Sequence, residues 1–298
     1  MTRVHANVLL MLVALIWGSA FVAQSQGMAH VGPVTFTAVR FLIGALVVAP
    51  LMWLEWQRLE RNAQTLQKAD GIRIAGLGSL LLAGAVMQQI GIVSTSVTNA
   101  GFLTALYVPL VPVLSWLVLR RLPHWSVWPG ALACVVGAYL LSGAQGLSIS
   151  RGDLWIIAST LPWAFHVLLV GRVADRMSAP FLVAGGQFAV CGLLALGWAL
   201  VYEPVNWAGL QGAAWTLAYT GVMSVGVAFT AQVVAQRYAH ATDAAIVLSA
   251  ETLFAAMFGY LLMGDRLDAA GIAGCALIFI SMMGVQLLPV LRLFQAAR

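Results

Sequence analysis

Residues 98–122, TNAGFLTALYVPLVPVLSWLVLRRL, are echoed by residues 242–267, TDAAIVLSAETLFAAMFGYLLMGDRL. Thr98-Asn99-Ala100 aligns with Thr242-Asp243-Ala244, 144 positions later. Each copy opens on side chains that can accept hydrogen bonds from the free N–H groups of a helix start. Each then runs apolar for about 20 residues, the length that crosses the hydrocarbon core of a bilayer. A short charged turn and another apolar segment follow. One such run fits a buried helix equally well; two in matched contexts point to a duplicated membrane unit.

The composition agrees. Of 298 residues, 61% are hydrophobic and only 8% charged, against about 25% charged in soluble domains. So few charges cannot cover a water-facing surface of this size, and most of the surface must face lipid. The net charge of +5 bears on membrane topology; there is no basic stripe of the kind that binds nucleic acid. Cys134, Cys191 and Cys275 lie inside apolar runs without metal-ligand spacing and read as small packing residues. No metal or cofactor is expected. Arg3 and the apolar run behind it resemble a signal peptide, but that run has a partner later in the chain and is read as retained.

Ten apolar spans are expected, at about 5–25, 34–54, 72–92, 99–119, 126–142, 153–170, 181–201, 212–235, 244–263 and 269–291. All should be helical, because a segment in lipid has to satisfy its own backbone. With the N-terminus inside, twelve of the fifteen Lys and Arg residues fall on the cytoplasmic side: Arg3, Arg58, Arg61, Lys68, Arg73, Arg120, Arg121, Arg172, Arg176, Arg237, Arg292 and Arg298. Arg151 and Arg266 fall outside, and Arg40 lies within a span. This bias places both termini in the cytoplasm, and a bacterial inner membrane is the expected location. The hydrophilic stretch 55–70 is a cytoplasmic loop with room for a short surface helix.

The duplication reaches further. Trp17 pairs with Trp163, Pro33 with Pro180, Arg40-Phe41 with Gln187-Phe188, and Gln88 with Gln232, at nearly constant offset. The expected fold is an all-α polytopic membrane protein of ten transmembrane helices. They form two inverted five-helix repeats, 1–143 and 153–298, joined by an external Gly/Ser-rich linker at 144–152. An odd number of spans inverts the second copy. Inverted repeats are typical of secondary transporters, whose site lies near the midplane between them.

Certain stretches carry more than periodicity: ALIWGSAFV (Ala14–Val22), AVRF (Ala38–Phe41), Gly152-Asp153 ahead of the Trp163 helix, and the last hairpin, Gly259–Gly284. In these the chain resembles the EamA-type drug/metabolite transporter superfamily, over essentially its whole length. Within it, the chain is most similar to the bacterial YddG-type exporters of aromatic amino acids. The resemblance implies export of small metabolites. One departure stands out: many relatives have Pro soon after the position of Ser249, where this chain has Ala250-Glu251-Thr252.

Several residues are candidates for the transport path. Membrane tryptophans favour the interface, yet Trp17 and Trp163 fall mid-span. They are either core packing or two aromatic walls facing each other across a cavity, able to stack a ring or hold an ammonium group. Pro162, before Trp163, frees a backbone carbonyl. Pro109 and Pro112 bend span four, as a plain kink or as a gate, with Tyr107 beside the bend as a donor. Gln88, Gln89 and Gln232 are interhelical hydrogen-bonders, worth about 0.6–2 kcal/mol, or amides that bind a zwitterion. Arg40 snorkels outward, or anchors a carboxylate or an outer gate. Glu251 is a proton site, an ammonium partner or an inner-gate residue; such groups in a span are costly. His166, one turn after Trp163, is a further candidate for the cavity lining. Asp153, Asp243 and Asn99 read as helix starts.

The function these features imply is a secondary transporter. It exports amino acids, preferably aromatic or large apolar ones, by rocking of the two halves around a central site. Its partners are a small-molecule substrate and the lipid bilayer, with no nucleic acid, and it is a monomer or weak dimer. An exporter of lipophilic cations is the alternative, since aromatic walls and Glu251 suit it too. Phosphate carriers need central cations, and Arg40 alone is available. An intramembrane enzyme fits less well: there is no HExxH, and Val222-Met223-Ser224-Val225-Gly226 lacks the first glycine of GxSxG.

Overall fold

The computed structural model describes residues 1–141, 150–264 and 268–296. Among them every regular element is helical. The first copy of the repeat comprises α1 (Arg3–Gly27), α2 (Pro33–Arg61), α3 (Lys68–Ile92), α4 (Val97–Thr104), α5 (Tyr107–Leu119) and α6 (Val127–Leu141). The second comprises α7 (Arg151–Met177), α8 (Pro180–Tyr202), the short α9 (Trp207–Gly212), and α10 (Ala214–Tyr219) running through a π-helical stretch, Thr220–Phe229, into α11 (Thr230–Ala235). It continues with α12 (Ala241–Leu248), α13 (Glu251–Phe258) with a π-helical end at Gly259–Met263, and α14 (Ala269–Ala296). Eight helical runs are long and apolar enough to cross a membrane; two shorter apolar helices, Val127–Leu140 and Ala269–Ser281, lie where the fifth and tenth spans were expected. These two pack chiefly on each other. Ser281 Oγ donates to the Gly130 carbonyl at 2.6 Å across that contact.

Some expectations are corrected. The span-four and span-nine helices begin before Thr98 and Thr242. Ser96 is the cap of α4, its hydroxyl accepting from Asn99 N at 3.2 Å. His240 precedes α12 without a side-chain cap. The stretch 55–70 is mostly helix, because α2 runs to Arg61 and α3 starts at Lys68. Asp153 does mark a helix start: its carboxylate accepts from Ser150 N at 2.8 Å while Ser150 Oγ accepts from Asp153 N at 3.1 Å, a capping box. The expected linker falls mostly on 144–149, outside the described residues, as do Arg266 and Arg298.

The repeat mates α2 and α8 pack along each other and run antiparallel, and each supplies the other's missing N-terminal partner. Both helices open on proline, at Pro33 and Pro180, with no side-chain cap of their own. Instead Glu203, just past the end of α8, accepts from Val34 N at 2.9 Å, Thr35 N at 2.8 Å and Thr35 Oγ1 at 2.6 Å. Glu55, near the end of α2, accepts from Leu182 N at 2.8 Å. Two carboxylates thus satisfy free N–H groups at the positive ends of each other's helices.

Candidate functional site

Helices from both copies wall one central cavity. On α1, Trp17, Phe21 and Gln24 follow the i, i+4, i+7 spacing that puts them on one face. Trp163 and Val167 face them from α7, and Ser224, Phe229 and Gln232 from the π-helical stretch and α11. Arg40, Gln88, Thr104, Tyr107 and Glu251 complete the lining.

The aromatic wall differs from the expected one. Trp17 and Trp163 do not face each other across open space, because Phe229 stands between them. Its ring centroid lies 4.5 Å from that of Trp17 and 5.9 Å from that of Trp163, at only 20° to the latter ring. Trp17 Nε1 donates to the Ser224 carbonyl at 3.2 Å, inside the π-helical stretch, a distortion frequent at functional sites. Trp163 Nε1 is buried without a partner. A Cβ at Gly84 would sit 2.9 Å from two atoms of the Trp163 indole, so a glycine on α3 is what lets the ring lie flat there.

The two in-span charges are buried and face no counter-charge. Arg40, 3% exposed, donates to Gln24 Oε1 and lies 5.3 Å from the centroid of Phe41; its Nε has no partner. No acidic side chain pairs with it among the described residues. Glu251, 4% exposed, makes no hydrogen bond or ion pair among the described residues, with Arg40 or otherwise. Gln88 Nε2 donates to Thr104 Oγ1 at 2.9 Å. Both amide atoms of Gln232 are buried and unpartnered. Burying a lone charge costs several kcal/mol, and an orphaned buried amide about 1–3 kcal/mol. The cavity therefore holds a guanidinium and a carboxyl group without ionic partners among the described residues, and an unpartnered amide, beside an apolar face.

Tyr107 and Glu251 are repeat mates, and each is the first residue of a half-helix. Span four breaks at Ala105–Leu106. Leu106 N and Val108 N bond three residues back, to Leu103 and Ala105, at 3.2 and 2.9 Å. Pro109 has no N–H to offer the Ala105 carbonyl. Span nine breaks at Ser249–Ala250 without any proline. Ser249 Oγ donates to the Ile246 carbonyl at 2.7 Å and Thr252 Oγ1 to that of Ser249 at 2.8 Å, bonds that bend helices. As in span four, the backbone N–H groups at this break bond three residues back, Ala250 N to Val247 and Thr252 N to Ser249, each at 3.1 Å.

The sequence profile of the EamA-like transporter family matches residues 5–143 and again 150–287. The chain belongs to the EamA-like transporter family. An uncharacterized transporter of Archaeoglobus fulgidus is 31% identical over 285 residues, covering 96% of this chain and 87% of the relative. The uncharacterized transporter YoaV of Bacillus subtilis is 24% identical, covering 89% of this chain and 91% of its own length. A solved crystal structure at 19% identity superimposes with a TM-score of 0.76, covering 96% of this chain and 98% of that one; at that identity it speaks for the fold alone. Like other EamA-like proteins, the chain is a multi-pass membrane transporter.

Within this EamA-like fold, the residues singled out from sequence divide. Trp17, Trp163, Gln88, Gln232, Tyr107, Arg40 and Glu251 line the one cavity. His166 does not. It is fully buried behind Trp163, edge-on to that ring at 6.2 Å, with Nε2 bonded to Gln187 Oε1 at 2.9 Å. Pro109 and Pro112 lie on α5 away from the lining, below the break. Gln89 reaches instead to the Gln24 carbonyl at 3.4 Å. Gln24, Ser224 and Phe229 were not anticipated. The i+7 spacing from Trp17 was the available signal for Gln24. Phe229 carried none, being one of twelve phenylalanines in an apolar chain.

Proposed function

We propose that the protein is a secondary transporter that exports amino acids with aromatic or large apolar side chains across the inner membrane by alternating access. The observation that carries this reading is a guanidinium, Arg40, and a carboxyl group, Glu251, that line one cavity with no ionic partner among the described residues. An α-amino acid brings both missing partners: its carboxylate pairs with the Arg40 guanidinium, whose forked donors suit it, and its ammonium with Glu251. The apolar side chain lies against Trp17, Trp163 and Phe229, and the Gln232 amide serves either charged group. Arg40 also argues against a lipophilic cation, which it would repel from the same cavity.

The test is efflux of labelled phenylalanine from proteoliposomes. Arg40→Gln and Glu251→Gln should each lower the rate at least about ten-fold, the loss of one charge-assisted contact. Phenethylamine and 3-phenylpropionate, each lacking one charge, should compete at least about ten-fold worse than phenylalanine. A quaternary amine competing as well as phenylalanine would replace this reading with the lipophilic-cation one.

A further inference from the structure

A second space opens at the arginine-rich end of the bundle. Its walls include Arg3 at the start of α1, Arg121 after α5, Arg172 on α7, and Gln236 and Asp243 around the α11–α12 turn. Val167 lines both this vestibule and the central cavity, so they meet at a thin septum. Arg3 is already held by Asp243. Arg121 and Arg172 line the vestibule together, with no acidic partner among the described residues. Two guanidiniums gathered without a counter-ion favour any oxyanion placed between them. Gln236, 5% exposed, spends its Nε2 on the Val167 carbonyl at 2.9 Å, leaving Oε1 buried and unpartnered. It lies one turn from Gln232, so two amides stand on one face of α11 and the turn after it, one on each side of the septum.

An acceptor beside two guanidiniums suits a ligand that carries an ammonium next to its anion. We propose that the vestibule is a second binding site for the transported amino acid, in which Arg121 and Arg172 hold the carboxylate and Gln236 Oε1 takes the ammonium before the solute passes Val167 to Gln232. The proposal rests on the central cavity being an amino-acid site. An ethanolamine phospholipid headgroup carries the same pairing of anion and ammonium, and the experiment separates the two sources.

Full-length protein in phosphatidylcholine nanodiscs is titrated calorimetrically with phenylalanine. Two molecules should bind per chain, falling to one in the Arg121→Gln/Arg172→Gln variant and to one in Arg40→Gln. Arg121→Lys/Arg172→Lys keeps the charge and the fold, and should weaken only the second event. In membrane vesicles of known orientation, the glutamine pair should raise half-saturation about ten-fold from the arginine-rich side and leave the other side unchanged. A single wild-type event, lost in Arg40→Gln and kept in Arg121→Gln/Arg172→Gln, overturns the vestibule site and leaves the central one standing. Wild-type protein that binds no phenylalanine overturns both. A second event that vanishes when phosphatidylethanolamine replaces phosphatidylcholine assigns the vestibule to the lipid headgroup and overturns it as a solute site.

Discussion

At the scale of single residues, the duplicated chain is most informative where its copies disagree. Arg40 has the neutral mate Gln187, and Glu251 has the neutral mate Tyr107. In the second copy the polar reach from helix two to helix one is neutral, His166 to Gln187 at 2.9 Å; in the first it is the Arg40–Gln24 bond. Symmetry is thus broken at the two ionisable residues that line the cavity. Phe229 belongs to the same scale. It stands between the two tryptophans, and on the proposed reading it sets how large a substrate ring can be. Phe229→Ala should shift competition towards tryptophan over phenylalanine by about ten-fold, the scale of discrimination by apolar pockets. It should also lower the unfolding temperature, since emptying such a position costs about 3–5 kcal/mol. An unchanged preference ratio would remove Phe229 from the site. Much of the cavity was legible beforehand because a charge or amide in an apolar span announces itself. Phe229 was not anticipated and His166 packs behind the lining, because an aromatic or a lone histidine looks the same in sequence whether it lines a cavity or packs behind one.

At the scale of elements, span positions followed from hydropathy and the bend of span four from its prolines, while most helix ends and the break in span nine did not. Ser96 caps α4 from outside the apolar run that marked the span. The break at Ser249–Ala250 has no proline to betray it; it rests on hydroxyl bonds to backbone carbonyls that many intact helices also contain. The glutamate caps were equally hidden. Glu55 reads as the start of a cytoplasmic loop and Glu203 carries no signal of its own, because their partners lie 127 to 169 positions away in the chain. These caps make a measurable claim. Glu203→Ala and Glu55→Ala should each cost about 1–2 kcal/mol, the usual loss on removing an N-terminal cap. The caps stand about 30 Å apart along α2 at 1.5 Å per residue, so their effects should add in the double variant. Denaturant unfolding in detergent would measure this; a double variant no weaker than either single one would mean that the carboxylates do not hold the helices.

At the scale of the whole molecule, the same caps decide where motion can occur. The α2–α8 seam joins the two copies and is pinned near both ends, so the proposed alternating access is expected to leave it closed and pivot about it. The compliant parts lie elsewhere: the breaks at 105–106 and 249–250, the π-helical stretch Thr220–Phe229, and the face where α1 meets α13. There Gly18 brings α1 onto α13, with room at its Cβ position already taken by Phe254 and by the Glu251 carbonyl, 2.9 Å away. Two engineered disulfides test this division, in a background with Cys134, Cys191 and Cys275 replaced by alanine. The Leu42→Cys/Gly192→Cys pair bridges the seam, where a Cβ at Gly192 would lie 3.0 Å from Leu42 N. The Gly18→Cys/Phe254→Cys pair bridges the opposite face. Oxidation of the seam pair should leave phenylalanine efflux within about two-fold of the reduced protein, because a pivot does not open; oxidation of the α1–α13 pair should abolish it until a reductant is added. The reverse pattern would place the moving surface between α2 and α8, and the reciprocal caps would then be bonds broken and remade in every transport cycle.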